Sequence, residues 1–296
     1  MRHQWMAAGV VLALAIAATA ASPAAAADPH QTVSAVAAVA DIRAVAAAEA
    51  AAGNGMADAG VTDIGVNAVF GPDNRVLVDP TTVFPASATV LLTFAGGRCT
   101  GFMISYRALA TAGHCVHTGG SGGSWHANVI AYPGHNGVTA PYGSCAASAL
   151  FAPLGWTQSA DPRLDYGVVR LNCGIGDATG WFPIGWTSES LTGMCTVSQG
   201  YPNDRPGQWR SVDQIRAESA GNVYHQHDTT GGQNGSPIYQ TDPDEWCPTW
   251  PKPPIPPRGV VLAIHTSGPY GGGPGAVNNV GTRITQAVYN NLMAWR

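Results

Sequence analysis

The stretch Thr229-Thr-Gly-Gly-Gln-Asn-Gly-Ser-Pro237, which runs straight into Ile-Tyr-Gln, sets a pattern that the chain repeats. Three glycines and a proline read as a tight turn, and a strand-forming run follows at Ser236–Tyr239. Working outward, short apolar or β-branched runs recur between Gly, Pro and Asn clusters. They lie at Thr89–Phe94, Thr100–Ile104, Asn128–Tyr132, Gly167–Leu171, Cys195–Gly200 and Val260–His265. Many short strands separated by such turns predict an all-β chain built as a closed barrel or sandwich. One helix is expected at the end, Ile284–Trp295, where Val288, Leu292 and Trp295 share a stripe.

Composition narrows the function classes. Charged residues make up 11% of the 296, against roughly 25% in an average soluble domain. Hydrophobic residues reach 45% and there are nine Trp, enough to form a sizeable core rather than a disordered chain. A net charge of −4 without a basic cluster argues against nucleic acid as a partner. Beyond the first thirty residues no apolar run approaches the ~20 residues of a membrane span, so no membrane association is expected.

The chain divides into three. Residues 1–27 read as a secretion signal: Arg2 and His3 precede an apolar stretch from Met6 to Ala21, and Ala25-Ala-Ala27 supplies small residues for cleavage. Residues 28–67 are Ala-rich and lack Cys, Trp and Phe, too few large apolar groups for a core of their own. They read as a propeptide in which Val36, Val39 and Val45 suggest a weakly amphipathic helix. Residues 68–296 are the folded domain. All six cysteines lie in it, and an even count in an exported chain predicts three disulfides. No Cys-x-x-Cys pair suggests a metal site. The proline-rich run 248–258 reads as a stiff polyproline-like surface loop.

Chemistry-bearing residues stand in the order His, Asp, Gly-rich turn: Thr111-Ala-Gly-His114-Cys115, then Leu164-Asp165-Tyr-Gly-Val-Val-Arg-Leu171, then Thr229–Pro237. Each alone has a structural explanation, as a core His, a strand-capping Asp and a turn. Together, in a secreted β-protein, they resemble the chymotrypsin-like serine peptidases, and specifically the glutamyl endopeptidases of Gram-positive bacteria. His265-Thr-Ser-Gly and Gly281-Thr-Arg-Ile-Thr285 extend the resemblance, which spans roughly Val69 to Trp295.

The resemblance implies two packed antiparallel β-barrels with a C-terminal helix and a cleft between the barrels. It puts the general base on His114, the orienting carboxylate on Asp165, and the oxyanion-binding N–H groups on Gly232 and Asn234. It also implies a Cys99–Cys115 disulfide, and an acid-binding pocket lined by Thr229 and His265, completed by an α-amino group freed near Asn67–Ala68. Sequence proximity suggests Cys145–Cys173 and Cys195–Cys247, although four cysteines allow three pairings. The nucleophile position departs from the family pattern Gly-x-Ser-Gly-Ser-Pro, which reads here Gly232-Gln233-Asn234-Gly235-Ser236-Pro237. A carboxamide cannot form an acyl-enzyme, and loss of the nucleophile costs on the order of 10⁶ in kcat.

The expected protein is therefore a secreted, monomeric member of this family. It needs no cofactor, its partner is a peptide with an acidic residue, and its hydrolysis is lost or impaired at Asn234. The alternatives are a non-catalytic peptide-binding pseudoprotease and a peptidase using another nucleophile, for which Ser236 and Thr230 are the nearest hydroxyls. His225 and His227 have a spacing that can hold zinc, but no third ligand is apparent in sequence. His117, His126 and His135 stand in Gly/Ser-rich loops and read as solvated.

Overall fold

Two sheets, each closed on itself, account for the strand-and-turn pattern. The computed structural model describes residues 27–36, 68–241 and 259–296. Most of the stretches expected to be a signal and a propeptide, the proline-rich run and Cys247 lie outside the described residues. In chain order the strands are β1 (Thr32–Val36), β2 (Val76–Leu77), β3 (Thr89–Phe94), β4 (Gly97–Ser105), β5 (Ala108–Thr111), β6 (Ile130–Pro133) and β7 (Cys145–Pro153). They continue with β8 (Gly167–Leu171), β9 (Cys195–Gly200), β10 (Trp209–Glu218), β11 (Asn222–His225), β12 (Pro237–Gln240), β13 (Val261–Ser267) and β14 (Asn279–Arg283).

The first sheet runs β1-β7-β6-β3-β4-β5-β8 and closes through β7–β8; the second runs β11-β14-β13-β12-β9-β10-β2 and closes through β10–β11. Every described pairing between these strands is antiparallel. Strands β3–β8 and β9–β14 thus form two six-stranded barrels, and β1 and β2 are each added to the outside of one. The expected two-barrel architecture is what the chain adopts.

Closure buries the alternating apolar side chains. Val90, Leu92, Phe102, Leu109, Leu150 and Val168 fill the first barrel, while Ile215, Val223, Ile238 and Leu262 fill the second. Each such side chain contributes about 1.5–3 kcal/mol relative to exposure. Strands β7 and β10 were not among the runs read from sequence, and the reason is visible. The first has four Ala among nine residues and no β-branched one, and the second is broken up by Arg210, Asp213, Gln214, Arg216 and Glu218. Their pairing is imposed by neighbours rather than by propensity. The final helix, Gln286–Trp295, starts two residues later than expected because the Thr285 hydroxyl accepts from Val288 N as an N-cap. Its buried stripe is Val288, Leu292 and Trp295.

Ahead of residue 68, the helix suggested around Val36 is corrected. Thr32–Val36 is a strand, because β-branched Thr32, Val33 and Val36 meet an open edge of β7. Val39 and Val45 lie outside the described residues. Two disulfides join described cysteines: Cys99–Cys115 with Cα atoms 6.1 Å apart, and Cys145–Cys173 at 6.0 Å. Cys195 is also disulfide-bonded.

The barrels meet at Thr100. Its backbone N–H donates to Asn234 O (2.8 Å), its hydroxyl donates to Gly232 O (2.9 Å) and accepts from Tyr201 N (2.9 Å), and its carbonyl accepts from Thr111 Oγ1 (2.7 Å). This seam leaves no room at Gly235, where φ is 90° and a Cβ would overlap Thr100 O and Thr111 Oγ1. Gly96 has nearly the same φ, 94°, but faces open space. Gly96→Ala should therefore cost about 1–2 kcal/mol from backbone strain alone, whereas Gly235→Ala adds a steric cost of about 1–3 kcal/mol. Urea unfolding of the two variants checks this, and equal losses would refute the packing argument.

Candidate active site

His114 sits on the short 3₁₀ turn Gly113–Cys115 that ends β5, and the Cys99–Cys115 bridge ties this turn back to β4. Asp165 follows the 3₁₀ turn Pro162–Leu164, just ahead of β8. Since β5 and β8 are paired, the two residues are delivered to one end of the first barrel. Both carboxylate oxygens of Asp165 engage His114: Oδ1 accepts from the backbone N–H and Oδ2 lies against ring Nδ1, each at 2.8 Å. A carboxylate only accepts, so the proton is on Nδ1 and Nε2 is the basic nitrogen. Gly113 permits this approach, because a Cβ there would crowd Tyr166 N and Asp165 Oδ1. From the second barrel, Thr282 Oγ1 donates to Asp165 O at 3.0 Å.

The Gly-rich turn lies beside this couple, with Asn234 O 3.7 Å from Cys115 Sγ. Gly232 and Gly235, at φ 88° and 90°, flank Gln233 and Asn234. The turn is pinned by Asn203 N donating to Gly231 O (2.7 Å), Gly235 N to His265 O (2.7 Å) and Ser236 N to Gln233 O (3.0 Å). The two hydroxyls considered as substitute nucleophiles point elsewhere. Ser236 is fully buried with its Oγ against Gly200 at the barrel seam. Thr230 Oγ1 donates to Asp204 (2.7 Å) and accepts from Arg75 (3.1 Å).

Behind the turn, Thr229 and His265 come together with residues that sequence reading did not connect. Thr229 Oγ1 accepts from Asn279 Nδ2 (2.9 Å), and Thr229 N donates to Ala68 O (3.1 Å). His265 Nδ1 lies 3.3 Å from His225 Nε2, and His225 Nδ1 faces the backbone N–H of His227, also at 3.3 Å. That backbone N–H can only donate. His225 is therefore protonated on Nε2 and donates to His265 Nδ1, so His265 carries its own proton on Nε2. Burial holds all three imidazoles neutral, reinforced for His225 and His265 by neighbouring histidines: His225 is pushed well below the usual range, His227 to about 4 and His265 to about 3.

Sequence reading also missed how the start of the domain is anchored. The buried Asp228 carboxylate accepts from Phe70 N and Asn74 N, both at 2.7 Å. Arg75 is sandwiched between Asp73 and Asp204 at 2.8 and 2.6 Å. Burial pushes the Asp204 carboxyl up, but the bonds from Arg75 and Thr230 outweigh it and hold the group at about 2. No Arg stands near the turn in sequence, yet Arg75 reaches it through Thr230. The solvated reading of the loop histidines is corrected as well. His117 and His135 are buried and His126 is half-buried. His117 and His135 each cap their own loop, Nδ1 accepting from Gly119 N and Gly137 N, and His126 Nε2 donates to His114 O. Burial lowers the affinity of all three for a proton.

The family model described as Trypsin matches residues 79–243. The glutamyl endopeptidase of Bacillus licheniformis is 36% identical over 233 residues, covering 78% of this chain and 70% of that protein. The chain belongs to the trypsin family of serine proteases. A solved Glu endopeptidase in complex with MPD superposes on the chain with a TM-score of 0.66 at 26% identity, covering 76% of this chain and 98% of that one. Protease Anisep from Arthrobacter nicotinovorans, 21% identical with a TM-score of 0.54 over 70% of this chain and 94% of that one, shares the fold.

A Bacillus subtilis protein named extracellular metalloprotease is 33% identical over 238 residues, covering 77% of this chain and 70% of that protein. The described residues do not fit a metal centre of that kind. Among the described residues the one grouping of potential ligands is Cys99, His114 and Cys115, and both sulfurs are used in a disulfide.

The buried imidazoles make acid stability a test of how His225, His227 and His265 are held. Unfolded, the histidines take up protons below about pH 6.5, whereas folded His227 and His265 resist until about 4 and 3. The stability present above the unfolded pKa is thus lost as pH falls from near neutrality toward 4, by up to about 1.4 kcal/mol per pH unit for each histidine. Unfolding at a series of pH values should show this slope, and His227→Gln should reduce it by one proton. A flat profile between pH 6.5 and 4.5 would contradict the neutral triad.

Proposed function

We propose that this chain is a secreted glutamyl endopeptidase-like protein in which peptide hydrolysis is lost or severely reduced at Asn234, leaving a cleft that recognises peptides through an acidic side chain. One observation carries the reading. The His114–Asp165 couple stands beside a pinned turn whose nucleophile position is a carboxamide, while the Thr230 hydroxyl is bonded to Asp204 and the Ser236 hydroxyl is buried against Gly200 at the barrel seam. In the active form of such a site, a Ser hydroxyl at position 234 gives its proton to His114 Nε2 and attacks the peptide carbonyl. Asp165 stabilises the resulting imidazolium, and the N–H groups of residues 232 and 234 hold the oxyanion. Asn234 cannot begin that sequence.

Acid recognition follows from the pocket's donors. A desolvated carboxylate costs several kcal/mol unless hydrogen bonds or charge replace its water. The Thr229 hydroxyl accepts from Asn279 and so keeps its own proton to donate, and the histidine chain directs the His265 proton to Nε2. A cut at Asn67–Ala68 would add an α-amino group beside Thr229, since Ala68 already bridges to it. A chain without a nucleophile needs another protease to make that cut. The run 1–27 and the disulfides support export.

Restoring the nucleophile with Asn234→Ser tests the reading. Activity on Glu-containing peptides should rise by on the order of 10⁴–10⁶ over the unaltered chain. Cleavage after Glu, then Asp, should dominate at pH 7–8, and adding His265→Ala should erase that preference. Equal rates without the restoring substitution, or preferred cleavage after Arg, Lys or large apolar residues, would overturn it.

A further inference from the structure

The segment Asp28–Val36 lies outside the part that matches the family model, yet it is seated on the first barrel by a dense set of specific contacts. Strand β7 is paired with β8 along one side. On its other side only the start, Cys145 and Ala146, meets β6, and residues Ala149–Pro153 are covered by β1, in register from Val36↔Ala149 to Thr32↔Pro153. The contacts continue beyond the ladder. Leu154 N donates to Gln31 O (2.7 Å) and Gly155 N to Pro29 O (2.8 Å). Gly155 is suited to this, because a Cβ there would crowd Pro29 and Leu164.

A polar clamp closes over the same segment. Asn291 Nδ2 donates to His30 O (2.7 Å) and to Tyr166 Oη (2.8 Å), Tyr166 Oη faces His30 Nδ1 (3.1 Å), and Trp295 Nε1 donates to Thr32 Oγ1 (2.9 Å). Trp295 also stacks on Tyr166, ring centroids 5.7 Å apart. Tyr166 is fully buried and directly follows Asp165, the partner of His114.

We propose that the Ala149–Gly155 edge, with Tyr166, Asn291 and Trp295, is a strand-binding site whose ligand is this chain's own Asp28–Val36 segment, and that its occupancy braces the corner carrying Asp165. Recognition is by strand addition: main-chain bonds supply the attachment and the His30–Tyr166–Asn291 clamp sets the register. Along β1 only Val33 and Ala35 are half-buried, and Thr32, Ser34 and Val36 are exposed. Apolar burial therefore contributes little, and the covalent link through 37–67 supplies the effective concentration that keeps the strand docked. Severing that link converts a seated strand into a weakly held peptide. The site then empties and the Tyr166 hydroxyl loses its imidazole partner. This inference does not depend on whether the protein cuts peptides.

The test uses the full chain with a recognition sequence for a site-specific protease placed within 40–60. Amide exchange of 149–155 and of 286–295 is followed before the cut, after the cut and gel filtration, and after adding back a synthetic Asp28–Val36 peptide. Exchange should quicken by about tenfold or more on removal of the segment and slow again with the peptide. In the uncut chain, Val33→Pro and Ser34→Pro should differ. Adjacent N–H groups of an edge strand point to opposite sides, so only one of the two substitutions removes a ladder bond.

The brace is read separately, from the His114 Nδ1 proton resonance, which should move or broaden when the segment leaves. Retention of the segment through gel filtration would also support the site, as tighter binding than expected. Unchanged exchange after removal of the segment, or equal tolerance of both prolines, would overturn the strand site. A resonance that never moves would remove the brace.

Discussion

The molecule is organised around the seam at Thr100. One residue of the first barrel satisfies two carbonyls of the Gly-rich turn, Asn234 O through its N–H and Gly232 O through its hydroxyl, and receives Tyr201 N in return. Buried main-chain groups must be paired, so this set of bonds fixes how the two barrels meet. It also fixes where the turn sits relative to His114, which the Cys99–Cys115 bridge attaches to the strand carrying Thr100. The cleft is thus a consequence of closing two barrels on a shared hydrogen-bond seam. Gly235 is the steric condition for that closure, since a side chain would occupy the space of the Thr100 carbonyl.

Polarity is rationed on the two sides of the turn in different ways. On one side Arg75, Asp73, Asp204 and Thr230 form a charged network near the surface. On the other, three neutral imidazoles run inward from His265 to His225 and His227, wholly buried. A formal charge in that interior would need a partner of opposite sign. The histidine chain instead passes a hydrogen-bond direction along neutral groups, ending in a donor at His265. Such a wall presents a hydrogen-bond donor without placing a permanent cation in the core. Strand β1 adds a further constraint on the first barrel, where Tyr166 links the Asp28–Val36 segment to the neighbouring Asp165, which bonds His114.

Several features were legible because they are local. The alternation of apolar runs with Gly and Pro pointed to a barrel or sandwich, and the Gly-x-x-Gly spacing of the turn reflects the two positive-φ positions at Gly232 and Gly235. His114 and Asp165 were found through the order of motifs, and their 2.8 Å contact agrees with it. Other features had no local signature. Strand β7 is rich in alanine with no β-branched residue, and becomes a strand because β8, β6 and β1 offer it partners. Loop histidines read as solvated are covered, since a Gly-rich loop folds back tightly enough for an imidazole to cap its own turn.

By itself, then, the sequence determined the all-β class and the chemical identity of the residue at position 234, while its resemblance to a known family supplied the two-barrel plan and the members of the His–Asp pair. The class depends on short-range periodicity and turn chemistry and the resemblance on residue type within short motifs, all of which are carried by neighbours along the chain. Only the tertiary structure decided that Asn279, Ala68 and Thr229 share one site, that His265 joins His225 and His227, that Arg75 reaches the turn, and that Asp28–Val36 completes a barrel edge. Each of these is a pairing of groups far apart in sequence, selected because burial forces every donor and acceptor to find a partner across the fold.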